Sequence, residues 1–260
     1  MTPKAPAGTQ SIMRTLQLMK ALGTRRNIGW RLTDLAAHCG LNHSTAHRIV
    51  ACLASARFVK QRRSDRRYVP GPMLYEFALA IPGYLHFQAA CDKNLARVAR
   101  RTGWIGFLYL RSGEETLCIS RVGTTAVHVL NDVGNRRPLA GSALGAAILL
   151  ALPKGEQRAV LMRNRKELRR NPAHRERAYD AMWQRSRELG FGANLGDVIA
   201  GIGSVGVPIL GAKGVPVAAI GATGSAAEFT SARVQSAVQL LREEADRIQG
   251  EHAALIAELS

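Results

Sequence analysis

Apolar residues recur along the first quarter of the chain at helical intervals and then, briefly, at strand intervals. Ser11 reads as an N-cap, followed by Ile12, Leu16, Met19 and Leu22 at helical spacing and closed by Gly23. Arg31 to Cys39 predicts a second helix with Leu32, Leu35 and Ala36 turned inward. Gly40 and Leu41 predict a tight turn, where glycine permits a left-handed backbone. Asn42 is the expected cap of a third helix running to about Ala56. Ala46, Ile49, Val50 and Leu53 form its apolar face, while His43, Ser44, Thr45, His47 and Arg48 cluster outward near its start. Phe58-Val59-Lys60 and Tyr68-Val69 then predict a β-hairpin around Gln61 to Arg67.

Further along, Pro72 to Ile81 reads as a short helix stopped by Pro82-Gly83, and Tyr84 to Thr102 as an amphipathic helix with Lys93, Arg97, Arg100 and Arg101 outside. Beyond Gly103 the pattern becomes mixed. Trp104 to Arg111 and Thr116 to Val122 are strand-like around the turn Ser112-Gly113-Glu114-Glu115. Leu139 to Leu152 predicts an alanine-rich helix ended by Pro153, followed by charged helices over Lys154 to Arg170 and His174 to Leu189. Ile202 to Leu210 and Val215 to Thr223 predict a second hairpin, and Thr230 to Leu259 a long terminal helix. Such alternation predicts a sheet with helices packed on its faces. The fold class is α+β in two domains. The expected segments are a tail (1–10), a winged helix-turn-helix domain (11–72), two helices over 73–102 and a larger α/β domain (103–260).

Charge sharpens the first of these. The formal net charge is +17, from 36 basic and 19 acidic residues, and residues 1–72 alone carry 13 Lys/Arg against 2 Asp/Glu. A concentrated basic field attracts phosphate polyanions and releases their counterions. Two helices joined by a glycine-bearing turn, the second opening with small polar and basic residues, form the helix-turn-helix pattern, whose second helix reaches base edges from its N-terminal residues. His43, Ser44, Thr45, His47 and Arg48 are the candidate readers: Arg48 can pair bidentately with guanine, and Ser44 and Thr45 can serve bases or phosphate. Arg62, Arg63, Arg66 and Arg67 stand at the hairpin tip, where a wing touches the backbone or the minor groove. The expected nucleic-acid partner is double-stranded operator DNA. The eleven basic residues from Lys154 to Arg187 are interleaved with acids and read as a solvated face rather than a second DNA site.

Other classes find little support. No apolar run reaches the roughly 18 residues of a membrane span, and Met1 to Gln10 is polar with no h-region, so a cytoplasmic protein without a membrane partner is expected. Cys39, Cys52, Cys91 and Cys118 lie far apart without a C-x-x-C pair, which predicts neither a metal site nor a disulfide framework but buried or half-buried thiols. No H-E-x-x-H, G-x-S-x-G or paired carboxylates are found, and His38, His86, His128, His174 and His252 are scattered surface or packing residues. No catalytic residue, metal or cofactor is therefore expected. Gly201-Ile202-Gly203-Ser204-Val205-Gly206 matches a dinucleotide fingerprint in letters, but the following Val207-Pro208-Ile209-Leu210 continues as strand. The alternative function, an enzyme or ligand-binding domain fused to a basic nucleic-acid-binding module, needs a nucleophile or metal cluster between Gly103 and Thr223. A purely architectural binder leaves the 188 residues after Pro72 unexplained.

The chain resembles the IclR-type bacterial transcription regulators. The matching stretches are Ser11-Ile12-Met13-Arg14-Thr15-Leu16, Leu32-Thr33-Asp34-Leu35-Ala36, Gly40 through Arg48 with its Ser-Thr-x-x-Arg helix opening, and Tyr68-Val69-Pro70-Gly71-Pro72. Arg137-Pro138-Leu139, Ser142-Ala143-Leu144-Gly145, Glu188-Leu189-Gly190-Phe191, Val217-Ala218-Ala219-Ile220 and Thr223-Gly224 extend the likeness over nearly the whole length. The resemblance implies a GAF-like effector-binding domain, a linker helix, and helices within 72–102 that help join two protomers, hence a homodimer or dimer of dimers. It also implies a small-molecule effector held between the sheet and the loop opening the Leu139 helix, by Ala143, Leu144, Asn194, Ser204, Gly221 and Thr223. A sequence-specific regulator whose operator affinity an effector modulates is the implied function. Three departures stand out. His43 replaces a common Lys or Arg, which makes phosphate contact there dependent on pH; Asn194 replaces a common acid; and Gly221 replaces Ser or Cys. A less polar pocket follows, with a small organic or aromatic acid as the expected effector.

Overall fold

The computed structural model describes residues 8–25, 28–81, 83–124, 132–169 and 176–258. Most of the expected N-terminal tail, Pro82, His128, Arg170, His174 and Leu259 lie outside them. The chain divides into two compact units, 1–81 and 82–260.

In the first unit, α1 (Gln10–Thr24), α2 (Leu32–His38) and α3 (His43–Ser55) precede a hairpin of β1 (Val59–Gln61) and β2 (Tyr68–Pro70), and α4 (Pro72–Leu79) closes it. Thr9, not Ser11, occupies the N-cap of α1, so Ser11 lies inside the first turn. The buried stripe of α1 is also displaced from the expected one. Leu18, Ala21 and Leu22 pack against Trp30, Leu35, Ala46 and Val50, while Ile12 is 57% exposed and Leu16 47%. The helix carries apolar residues on two faces, and spacing alone does not say which one the core selects. Between α2 and α3, Gly40 N–H donates to Ala37 O and Leu41 N–H to Ala36 O, a paired C-terminal closure with Gly40 at φ +62°. Asn42 Oδ1 then accepts the Thr45 N–H at 2.8 Å and starts α3 as expected. Trp30 joins the hairpin, exchanging both backbone hydrogen bonds with Tyr68 and donating its indole N–H to Ala21 O.

The second unit opens with α5 (Tyr84–Thr102), whose Phe87, Cys91, Leu95 and Val98 are buried in its core. There follow β3 (Ile105–Ser112), β4 (Glu115–Val122), β5 (Arg136–Pro138), α6 (Ala143–Ala151), α7 (Lys154–Leu168), α8 (Glu176–Leu189), β6 (Gly192–Leu195), β7 (Ile202–Leu210), β8 (Pro216–Ser225), α9 (Ser231–Glu251) and α10 (Ala253–Glu258). The strands form one antiparallel sheet in the order β5-β4-β3-β8-β7-β6. One face packs on α5 and α9, the other on α6.

Two expected helices are interrupted. The 139–152 helix is a single 3-10 turn over Leu139–Gly141 followed by α6, because Ser142 is extended and its Oγ accepts the Gly145 N–H. The terminal helix breaks at His252, whose φ of −128° ends α9. Both remaining edge strands, β5 and β6, escaped the sequence reading. Of the four thiols, Cys39, Cys91 and Cys118 are buried, but Cys52 is exposed, against expectation.

Candidate nucleic-acid interface and effector site

Local chain chemistry builds the first site. Capped by Asn42, α3 turns Ala46, Val50 and Leu53 into the core and leaves His43, Ser44, His47 and Arg48 exposed, with Thr45 half-buried. Ser44 Oγ donates to Asn42 Oδ1 at 3.1 Å, so this hydroxyl supports the cap as well as facing outward. Among the described residues, no carboxylate pairs with His43, His47 or Arg48. A cleft of about 400 Å³ separates α1 from α3, lined by Arg14, Thr15, Thr45, Arg48, Ile49 and Cys52 among others. Arg14 was not singled out in the sequence. Its signal is weak there, because its place in one cleft with Thr45 and Arg48 depends on how two helices cross.

The four hairpin arginines do not act alike. Arg62 grips Asp65 through Nε at 2.9 Å and Nη2 at 2.5 Å, and Nη2 also donates to Ile28 O at 2.7 Å. Arg67 Nε lies 3.6 Å from the Asp65 carboxylate, and its Nη1 donates to Gly29 O. The Arg62 hydrogen bonds hold the Asp65 carboxyl at about 2, well below its ordinary value. Arg62 and Arg67 thus shape the hairpin and tie it to the 28–29 turn, whereas Arg63 and Arg66 are exposed. Arg66 sits at φ +58°, a left-handed conformation, closed by its N–H donating to Arg62 O.

In the second unit the six residues implied by resemblance converge on the α6 face of the sheet. Asn194, Ser204 and Thr223 are cross-strand partners on β6, β7 and β8. Ser204 Oγ and Thr223 Oγ1 share a hydrogen bond of 2.9 Å. Asn194 pins the adjoining loop: its Nδ2 donates to Ile202 O and its Oδ1 accepts the Val198 N–H. Asp197 holds the same loop, accepting from Leu195 N–H and pairing with Arg185 of α8. Neither Asp197 nor Arg185 was anticipated. The neighbouring cross-strand row is Gly192, Gly206 and Gly221, and on it rests the first turn of α6. A Cβ on Gly221 would stand 2.4 Å from Val205 O and 2.7 Å from Leu144 Cδ1, so the β7 backbone and Leu144 together take the volume that a Ser or Cys there would need. Ala143 and Leu144 are buried, and their first-turn amides lie among those a helix leaves unpaired. The G-x-G-x-x-G stretch runs into β7, and no helix follows it.

A family profile described as "Bacterial transcriptional regulator IclR C-terminal" matches residues 84–250, and one described as "IclR helix-turn-helix domain" matches 11–63. The chain belongs to the IclR family of transcriptional regulators. Over 254 residues it is 22% identical to the HTH-type transcriptional regulator KdgR of Escherichia coli K12, covering 95% of this chain and 94% of that one. The crystal structure of an IclR transcriptional regulator from Alicyclobacillus acidocaldarius superposes with a TM-score of 0.72 at 25% identity, over 92% of this chain and 97% of that one. An IclR homologue from Microbacterium hydrocarbonoxydans, solved in complex with 4-hydroxybenzoate, gives 0.68 at 22% identity, over 94% and 99%. This IclR-family chain accordingly joins a DNA-binding helix-turn-helix domain to the family's effector-binding domain. Among the described residues, no helix is long and apolar enough to cross a membrane, and no three His, Cys, Asp or Glu are placed to hold a metal ion.

Proposed function

We propose that the chain is a cytoplasmic regulator rather than an enzyme, and that it binds operator DNA as a homodimer or dimer of dimers. Two α3 helices would then enter successive major grooves of a roughly palindromic site. The observation carrying this reading is the exposed, carboxylate-free N-terminal face of α3, with Arg63 and Arg66 exposed on the hairpin that follows it. Arg48 reads a base, His43, Ser44, Thr45 and His47 contribute base or phosphate contacts, and Arg14 adds a phosphate contact from α1. Arg62 and Arg67 act chiefly by holding the wing in shape. Apolar surface supports self-association: Ile12, Met13 and Leu16 on α1 and Tyr75, Phe77 and Leu79 on α4 are exposed.

Selection from a random duplex pool at physiological salt tests this directly. Wild type should enrich a two-fold symmetric site. Arg48→Ala should lose about 1–3 kcal/mol on that site and relax its base preference. Arg63→Ala should weaken every duplex alike and lower the salt slope by about one. Equal losses on all sequences for Arg48→Ala would remove it as a reader.

The effector is an organic acid, with an aromatic acid favoured by the relative solved with 4-hydroxybenzoate. Ala143 and Leu144 amides would meet its carboxylate and the Asn194, Ser204 and Thr223 row its polar substituent, with Gly221 leaving room for the ring once Leu144 swings away. Binding shifts the geometry of the 72–102 helices only by its differential affinity for two states. In a thermal-shift panel of such acids, Ser204→Ala/Thr223→Ala should abolish the ligand-induced stabilisation that wild type shows. Unchanged stabilisation would move the pocket elsewhere.

A further inference from the structure

The face of α7 and α8 that reads in sequence as solvated is concave in three dimensions. Lys154, Arg158, Arg165, Lys166, Arg169 and Arg187 line a slot of about 990 Å³ between the two helices, and among the described residues no carboxylate lines it. Residues 154, 158 and 165 fall on one stripe of α7, which Arg169 at its C-cap continues for roughly 22 Å at a helical rise of about 1.5 Å per residue. The nearby acids are spent elsewhere: Glu156 pairs with Arg111 and Glu114 with Arg163, both tying α7 back to the sheet. Arg165 pairs with Asp180 of α8 at 2.7 Å. Lys154, Arg158 and Lys166 meet no carboxylate among the described residues.

The slot is not purely polar. Leu161 and Trp183 lie in it, and Met162 stands 68% exposed beside them. Cationic rims around an apolar floor are the complement of an amphipathic segment with acidic flanks and apolar anchors. Duplex DNA fits less well, because a rigid convex rod does not enter a slot between helices and its phosphates leave the apolar floor uncovered. The same slot on a second copy is equally cationic and offers it no complementary acidic surface. We propose that the α7–α8 slot docks an acidic, apolar-anchored segment of a partner protein, a surface independent of DNA reading and effector binding.

The test uses the full chain and a fluorescent amphipathic peptide of about 16 residues, with Leu at i, i+3 and i+7 and Glu or Asp flanking them. Anisotropy at physiological salt should show saturable binding. Arg158→Glu/Lys166→Glu should weaken it about tenfold or more, while the control reversal Arg100→Glu/Arg242→Glu changes it less than about twofold. Met162→Ser, neutral in charge, should weaken it about threefold, and a peptide with Ser in place of Leu should bind as poorly. Far-UV circular dichroism checks that each variant is folded. Equal losses from the slot and control reversals would reduce the effect to net charge and overturn the proposal. So would indifference to Met162→Ser and to the Leu-free peptide. Displacement of the peptide by a short non-operator duplex, with Arg158→Glu/Lys166→Glu weakening that duplex equally, would reassign the slot to nucleic acid.

Discussion

Gly192→Ala should destabilise the larger unit by about 3 kcal/mol or more, a single methyl outweighing most core truncations. The added Cβ would stand 1.8 Å from Ala143 O, 2.7 Å from Ala143 C and 3.1 Å from Ala147 N. All three are backbone atoms of α6, so no rotamer change relieves the overlap. Nor can α6 simply lift. Ala143, Leu144, Ala146, Ala147, Ile148 and Leu149 are all buried, and moving the helix would open voids throughout that layer. Calorimetry should register a fall of roughly 6–12 °C in the Tm of this unit, given about 2–4 °C per kcal/mol at its size. Gly155→Ala provides the contrast. Nothing lies within 4 Å of its Cβ and it sits inside α7, so alanine there should stabilise by about 0.5–1 kcal/mol. A Tm for Gly192→Ala within about a degree of wild type would mean that α6 is not held against the sheet.

Arg97→Ala should cost about 2–4 kcal/mol at neutral pH, near the cost of breaking a buried ion pair but reduced because the guanidinium is partly exposed. Glu244 is almost wholly buried in α9. Arg97 gives it three hydrogen bonds of 2.6 to 3.1 Å, and Asn94 Nδ2 adds one of 2.9 Å. Burial pushes this carboxyl up, but the Arg97 hydrogen bonds and charge outweigh it and hold the carboxyl below its ordinary value. The sign follows. A lowered folded-state value contributes stability that is fully present above the ordinary carboxylate pKa and is lost as pH falls through the folded value. Wild type should therefore lose stability on acidification in that range, and Arg97→Ala should lose less, having already forfeited the contribution. Thermal melts across the acid range read this difference. Arg97→Leu/Glu244→Leu should recover much of the loss, since Arg97→Ala leaves the buried carboxylate with only Asn94 and the more distant Arg247, 3.9 Å away. Parallel acid limbs for wild type and Arg97→Ala would assign the titration to other carboxylates.

What the sequence conveyed and what it concealed divide along physical lines. Gly40 and Asn42 mark the turn and the start of α3 because backbone sign and capping are local properties, and the structure places both as read. Long strands such as β7 and β8 were legible because they cross the buried middle of the sheet. The two strands that escaped are its edges: β5 is Arg-Arg-Pro, and β6 is four residues beginning with glycine. Edge strands take charge, proline and shortness, which erase the alternating signal. The break at Ser142 was hidden because a half-buried cap looks like one more small residue in an alanine-rich run. At the hairpin, sequence placed four arginines together. Only the hydrogen bonds to Asp65, Ile28 and Gly29 separate Arg62 and Arg67 from Arg63 and Arg66. The row of Gly192, Gly206 and Gly221 was equally invisible, since three distant glycines become one surface only through strand pairing.

The uneven burial of the four thiols has a practical side. Cys52 is exposed in the cleft beside Arg14 and Arg48, whereas burial raises the Cys39 thiol and pushes Cys91 up to about 12. A maleimide dye added to the unmodified chain under native conditions should therefore mark one position, on α3, the helix proposed above to enter the DNA groove. Duplex shielding of that position would slow the labelling, and the rate of dye uptake would become a direct gauge of operator occupancy.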